Sequence, residues 1–307
     1  MLFVTGGALG CMKRCRYDIN DGWFLLPFFG VASWSLYLLS QVVVVSGGRG
    51  YDDPNINAIT VGYYGGLLAV CLVVFVLLDG SVWFRLICLL IGVVAFILIF
   101  TSGSRGPLLA LLCSILLVGF CRGWFIRRKI VAFLLVAIVC VGSLYMAFVW
   151  IQSTPGGEKR ISLMEDRLER LVSDVMGERV DASTSGRREM WVYFVERWRD
   201  VLPIGMPGYD VVDYPHNQFV EFYVRYGILG LVFSVFSLII FLWSVRYVIL
   251  HRSNIDRVTL VSFAIFVFAY LQSMTSLSLE LNRFLWYGFG YFFGVLVFSR
   301  RRKRNFG

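Results

Sequence analysis

The chain has 307 residues, of which 58% are hydrophobic and 16% are charged, and its formal net charge is +9. Soluble domains carry about 45–50% apolar and about 25% charged residues, so this composition excludes a water-soluble enzyme, a disordered chain and a fibrous repeat. It predicts a polytopic membrane protein. In such a protein an excess of Lys and Arg is expected in cytoplasmic links, and the positive charge therefore does not predict a nucleic-acid partner.

Long apolar stretches recur along the chain. A helix needs about 20 mostly apolar residues to cross a hydrocarbon core of about 30 Å, and no segment shows the strict alternation of a transmembrane β-barrel. The predicted spans comprise residues 23–45, 58–78, 82–100, 107–120, 130–151, 219–243, 258–277 and 284–298. The predicted fold is therefore all-α, a polytopic integral membrane helix bundle of about eight transmembrane helices.

Basic residues indicate the orientation of this bundle. Four basic clusters fall on the same side of an eight-span arrangement, and the positive-inside rule makes that side cytoplasmic. The clusters lie within residues 13–16, 122–129, 246–257 and 300–304. The predicted domains are a cytoplasmic leader (1–22), spans one to five (23–151), a periplasmic loop (152–217), spans six to eight (218–299) and a basic cytoplasmic tail (300–307). Both termini are then cytoplasmic.

The predicted periplasmic loop contains nine basic and twelve acidic residues, so its net charge is −3. Apolar residues recur at helical spacing within 161–176 and again within 190–198, with charged residues between them. This pattern predicts two amphipathic helices, which we expect at the outer membrane–water interface. The alternative is that they only shield the loop.

Polar segments at the predicted outer face form a candidate site, because polar groups in or beside a membrane are costly. These segments are residues 50–55, 102–106, 185–191 and 214–217. Histidine can take a proton near neutral pH, and arginine binds phosphate groups bidentately. One histidine, His216, with two or three arginines therefore suits chemistry on a lipid-linked pyrophosphate. The alternative is that Arg105 and Arg188 pair with nearby carboxylates and that His216 caps span six.

Several short motifs occur in an order that resembles the O-antigen ligase and polymerase superfamily over roughly residues 48–245. The motifs are Asp53-Pro54-Asn55, Ser104-Arg105-Gly106, Ser185-Gly186-Arg187 with Trp191, the glycine-rich turn 205–208, His216-Asn217 and Tyr-Gly-Ile-Leu-Gly at 226–230. The resemblance implies a metal-independent, inverting glycosyltransferase without a cofactor. Such an enzyme moves a glycan from undecaprenyl diphosphate to an acceptor hydroxyl on the periplasmic face.

The resemblance also implies roles for individual residues. Arg105 and Arg187 would bind the donor diphosphate, and His216 would be the general base. The residues expected to contact substrate are Arg188, which is a neighbour that the family pattern does not require, and Asn217, Glu221 and Asn55. Glu221 and Arg225 are four residues apart on one helix face, so they either orient the site or pair with each other.

The implied partners are an undecaprenyl-diphosphate-linked glycan, a lipid A-core or other glycan acceptor, and membrane lipids, in the bacterial inner membrane. Relatives usually have more spans before the Asp-Pro-Asn motif, so the chain resembles a member that is short at its N-terminus. Four alternatives to a ligase stay open: a polymerase that extends lipid-linked repeats, a protein-glycosylating enzyme, a transporter or flippase, and a truncated non-catalytic membrane protein. The clustering of polar residues at one face, away from the midplane, favours an enzyme.

Overall fold

The structure is a computed structural model that describes residues 58–77, 82–102, 105–122, 182–206, 217–275 and 282–304, with isolated positions between 142 and 153. In this part of the chain the regular elements are α-helices and there is no strand. The helices are α1 (Ala58–Leu77), α2 (Val82–Ser102), α3 (Arg105–Arg122), α4 (Ala182–Glu196), α5 (Trp198–Val201), α6 (Gln218–Leu250), α7 (Arg257–Thr275) and α8 (Arg283–Arg304). The predicted all-α fold is confirmed.

Most of the predicted spans coincide with these helices. Within the described residues, three helices are long and apolar enough to cross a membrane, at Ile59–Val76, Gln218–Leu250 and Arg257–Thr275, and α2, α3 and α8 contain shorter apolar stretches. The chain is therefore a membrane protein. The span predicted at 23–45, and nearly all of the one at 130–151, lie outside the described residues. The count of eight spans and the domain boundaries stay predictions.

The chain divides into two compact units, and the first contains α1, α2, α3 and the part of α7 that ends at Phe268. Helix α1 packs against both α2 and α3. A Cβ atom on Gly62 would lie 2.7 Å from the Ser102 hydroxyl and 2.8 Å from Cγ of Pro107. Small residues allow membrane helices to approach closely, so α1 is packed tightly against the junction between α2 and α3, where Arg105 begins α3.

The second unit contains α4, α5, the part of α6 that ends at Tyr247, the end of α7, and α8. Around α4 and α5 this unit has a small core in which Phe194 of α4, Val201 of α5 and Val224 of α6 are buried together. Trp191 and Val195 lie on the exposed face of α4. The amphipathic pattern at 190–198 thus corresponds to α4 and α5, whereas the helix predicted at 161–176 lies outside the described residues.

Polar side chains join the ends of the long helices in this unit. The Ser273 hydroxyl donates to Oε1 of Gln218 at 2.7 Å, which ties the last turn of α7 to the first turn of α6. The buried Asn282 donates from Nδ2 to the Ala269 carbonyl at 2.7 Å, and its Oδ1 accepts from the Leu285 amide at 3.3 Å. Asn282 therefore caps α8 while binding α7.

Candidate functional site

The first turns of α6 are separated from the rest of the helix by a break at Gly227, whose backbone has φ 56° and ψ −129°. In an unbroken helix the Ile228 amide would donate to the Val224 carbonyl. Instead it donates to the Leu202 carbonyl at 2.7 Å, and the Val224 carbonyl accepts from the Met206 amide at 2.7 Å. Residues 202–206, here called the insert, therefore replace one helical hydrogen bond. They provide an acceptor for the Ile228 amide and a donor for the Val224 carbonyl, so neither backbone group is left without a partner.

Glycine is required on both sides of this contact. Gly205 has φ 82° and ends the turn after α5, where its amide donates to the Val201 carbonyl at 2.8 Å. A Cβ atom on Gly205 would lie 2.5 Å from the Arg225 carbonyl oxygen, and one on Gly227 would lie 2.5 Å from the Leu202 carbonyl oxygen. The backbone of the glycine-rich turn thus contacts the backbone of the Tyr-Gly-Ile-Leu-Gly motif directly, and each motif provides one of the glycines that allow this approach.

Asn217 stands at the start of α6 as its N-cap. Its Oδ1 accepts hydrogen bonds from the Phe219 amide at 3.0 Å and the Val220 amide at 3.4 Å. Such a cap satisfies backbone amides that have no partner within the helix. The cap uses only the oxygen of the side-chain amide, so Nδ2 is the atom with which Asn217 could bind a substrate oxygen.

Glu221 and Arg225 form an ion pair one turn further along α6. Nη2 of Arg225 lies 3.0 Å from Oε1 of Glu221, and the side chains are 21% and 2% exposed, respectively. A buried carboxylate in apolar surroundings is costly unless it is paired. The pairing that the spacing allowed is therefore present, and an additional role in orienting substrate stays a prediction.

The arginines predicted to bind the diphosphate lie on two helices. Arg105 is the first residue of α3, in the first unit, and Arg187 and Arg188 lie in the second turn of α4. Their side chains are outside the described part of the structure, as are all atoms of His216 and Asn55. Their predicted roles therefore stay predictions.

The structure links the helix that carries Arg187 to the start of α6. Phe194 of α4 and Val224 of α6 share the small buried core, and Met190 and Val220 pack against it. The Tyr223 hydroxyl also donates to the Trp198 carbonyl at 3.2 Å. Within the second unit, α4, α5, the insert and the first turns of α6 thus form one packed assembly.

A pocket of about 390 Å³ lies beside the break, between α6 and α8. Four aromatic residues line it: Phe222, Tyr226, Phe233 and Trp286. The ring centroids of Phe222 and Phe233 are 4.9 Å apart, and that of Trp286 of α8 is 5.8 Å from that of Phe233. Arg225 and Leu229 complete much of the wall. Sequence reasoning missed this pocket, because it depends on contacts between segments more than fifty residues apart.

Sequence reasoning also missed the buried polar residues that flank the start of α6. Gln218, Gln272, Ser273 and Asn282 are each at most 1% exposed. The available signal was the pair Gln272-Ser273 inside the otherwise apolar stretch 258–277, because polar residues within a span usually face the protein interior.

Comparison with known proteins gives a family match that agrees with the motifs. Residues 90–235 match the family model described as O-antigen ligase, and the comparison with curated proteins found no significant match. The matched segment includes α3, α4, α5, the insert and the first half of α6. This match confirms the resemblance to the O-antigen ligase and polymerase superfamily that the order of the motifs indicated, over residues 90–235 of the chain.

Proposed function

We propose that the chain is a ligase that moves a glycan from undecaprenyl diphosphate to an acceptor hydroxyl, on lipid A-core or a similar glycan, at the periplasmic face of the bacterial inner membrane. The match to the O-antigen ligase family model supports a membrane glycan transferase of the ligase or polymerase type. The observation that carries the proposal is that the matched residues 90–235 contain Arg105, Arg187 and His216 together.

The proposed reaction is a single displacement. His216 takes the proton of the acceptor hydroxyl, whose oxygen attacks the anomeric carbon of the donor sugar while the bond from that carbon to the diphosphate oxygen breaks. Negative charge grows on the leaving diphosphate, and Arg105 and Arg187 stabilise it as it forms. Because attack and departure occur on opposite faces of the carbon, the anomeric configuration inverts.

The packing around the insert supports this assignment. The reacting groups must be held within a fraction of an ångström, because misplacement by about 1 Å can reduce a rate about 100-fold. Phe194 and Val224 join α4, which carries Arg187, to the first turns of α6, which follow directly on His216. A shared core of this kind is suited to holding an arginine and a histidine in a fixed relation.

Complementation tests the reaction type. We expect expression of the chain to restore capped lipopolysaccharide in a strain that lacks its ligase and to leave a polymerase-deficient strain unchanged. Restoration of chain length in the polymerase-deficient strain alone would assign the chain to the polymerase reaction instead. Restoration of neither phenotype, with the protein detected in the membrane, would contradict both assignments.

Substitution of the proposed base gives a sharper test. We expect His216→Ala to lower the transfer rate by about 10²–10⁴-fold, the usual contribution of a general base, without changing the protein level. His251→Ala is the matched control, because His251 is exposed in the link between α6 and α7. Full transfer by His216→Ala would exclude His216 as the base.

The arginines allow an analogous comparison. Arg187→Ala should abolish transfer, whereas Arg197→Ala should retain it. Arg197 lies just beyond the end of α4, where its Nη1 donates to the Tyr193 hydroxyl at 2.6 Å and its guanidinium lies 4.6 Å from the centre of that ring. Equal loss in the two variants would show that the segment around α4 is sensitive to the loss of any arginine and would remove the argument for a diphosphate contact.

A further inference from the structure

We infer that the aromatic pocket beside Gly227 binds the first isoprene units of the polyprenyl diphosphate donor. This inference rests on the proposed function, because it assumes a donor with a polyprenyl chain. The pocket has a volume of about 390 Å³, within the range of about 300–1,000 Å³ that is typical of small-molecule sites. Its walls are mainly Phe222, Phe233, Trp286 and Leu229, so its occupant must be largely apolar.

The break fixes the depth of the pocket in the membrane. After Gly227 the helix continues for 23 residues to Leu250, which is roughly 35 Å at 1.5 Å per residue. This length alone crosses a hydrocarbon core of about 30 Å. The break therefore lies near one edge of the core, at the level where a lipid headgroup meets its chain.

The surface around the pocket indicates that its occupant comes from the bilayer. Leu229, Val232 and Val235 on the same helix are 73%, 62% and 59% exposed, respectively. In a membrane such residues contact lipid. An apolar chain can therefore enter the pocket from the side without passing through water.

The charged residue in the pocket wall distinguishes a diphosphate lipid from a purely apolar one. Arg225 precedes the break by two residues, on the headgroup side of Leu229 and Phe233. The Arg225 side chain is paired with Glu221 and is 21% exposed, and arginine binds phosphate oxygens with directed donors. Asn217 begins the same helix eight residues earlier, so a diphosphate held near His216 would send its chain into the membrane alongside Arg225.

Photolabelling of the full chain in lipid nanodiscs tests the inference. The probe is a polyprenyl diphosphate with a diazirine on its first isoprene unit, and the comparison probe is phosphatidylglycerol with a diazirine on one acyl chain. We expect the first probe to label the segment 222–233 and Trp286, and unlabelled undecaprenyl diphosphate to prevent this labelling. Labelling of these residues by both probes, with equal competition by phosphatidylglycerol, would show an ordinary membrane lipid in the pocket and overturn the inference.

A substitution that fills the pocket provides a second measurement. Leu229→Trp should reduce labelling by the polyprenyl probe about tenfold, which corresponds to about 1.4 kcal/mol and to the exclusion of roughly two methylene groups. Ile239→Trp is the matched control, because Ile239 is 55% exposed on α6 and lies outside the pocket. Unchanged labelling in Leu229→Trp would contradict the inference.

Glycan transfer by the wild-type chain in the same nanodiscs separates the two proposals. Transfer without labelling of 222–233 would leave the proposed function in place and remove the pocket as the donor-chain site. Competed labelling without transfer to any tested acceptor would retain the pocket as a polyprenyl diphosphate site and contradict the proposed reaction.

Discussion

Two polar side chains at the start of α6 have structural partners and are also predicted to contact substrate. Asn217 caps the helix, and Glu221 is buried against Arg225. A loss of activity on replacing either residue would therefore be ambiguous unless stability is measured as well. At Asn217 a substitution can preserve the cap and remove the proposed contact. At Glu221 the removal of both charges of the pair separates stability from activity.

For Asn217 the informative comparison is between Asp and Ala. Asn217→Asp keeps an oxygen that accepts from the Phe219 and Val220 amides, whereas Asn217→Ala removes the cap and should cost about 1 kcal/mol of stability. If Nδ2 binds substrate, Asn217→Asp loses transfer while its unfolding midpoint in detergent stays near that of the wild type. Full transfer by Asn217→Asp would restrict this residue to its capping role.

For Glu221 the informative comparison is between a single and a double substitution. Arg225→Ala leaves the 2%-exposed Glu221 side chain without this partner, and breaking a buried pair typically costs about 3–5 kcal/mol. Glu221→Met combined with Arg225→Met removes both charges and should recover most of the thermal stability. If the double variant is stable but does not transfer glycan, the pair also orients the site; if it transfers normally, the two residues only stabilise α6.

At the scale of helices, the sequence predicted the positions of most of the described helices, because these positions depend on local composition. The apolar stretches at 58–78, 82–100 and 258–277 correspond to α1, α2 and α7 within a few residues at each end. The stretch at 219–243 also forms a helix, but its pattern did not indicate the break at Gly227. The break depends on the insert, which lies about 20 residues earlier, and periodicity within one segment carries no information about such a partner.

The same reasoning explains what could be said of the candidate site in advance. Residue chemistry and motif order indicated Arg105, Arg187 and His216, and spacing indicated the Glu221–Arg225 pair. The aromatic pocket and the polar contact between Gln218 and Ser273 could not be predicted, because they require knowing which helices are neighbours. The two glycine motifs were visible in the sequence, but their mutual contact was not.

The break in α6 predicts a strong effect of a single methyl group. Gly227→Ala would place a Cβ atom 2.5 Å from the Leu202 carbonyl oxygen and 2.6 Å from the Gly205 amide nitrogen, at a positive φ. We expect a loss of about 2–4 kcal/mol from backbone strain and overpacking, seen as a lower unfolding midpoint in detergent.

Gly92→Ala is the matched control for this substitution. Gly92 lies within α2, and the nearest atom to its added Cβ would be Cδ1 of Leu72 at 4.0 Å. Alanine should therefore be neutral there or stabilise the helix by about 0.5–1 kcal/mol. Equal unfolding midpoints for the two variants would show that the insert does not constrain α6.

At the scale of the whole molecule, the predicted topology explains the net charge of +9. The predicted periplasmic loop carries −3, so the rest of the chain carries +12, most of it in the four clusters predicted to be cytoplasmic. The main loop of the predicted outer face then has a net negative charge. Arg105 and Arg187 are predicted to lie at this face, where the positive-inside rule does not account for basic residues, and they are therefore candidates for a diphosphate site.

Helix α6 allows the predicted orientation to be measured with two engineered cysteines, at Glu196 and Arg252. Glu196 ends α4, which packs against the first turns of α6, and Arg252 follows the last turn of α6; both are exposed. Because residues 228–250 are long enough to cross the hydrocarbon core, we expect these positions to lie on opposite sides of the membrane. We expect a membrane-impermeant maleimide to label Glu196→Cys in intact spheroplasts and to label Arg252→Cys only after permeabilisation, with Cys15 and Cys121 of the parent chain protected.

The reverse labelling pattern would invert the predicted topology and place His216 in the cytoplasm. Labelling of both engineered cysteines in intact spheroplasts would exclude α6 as a span.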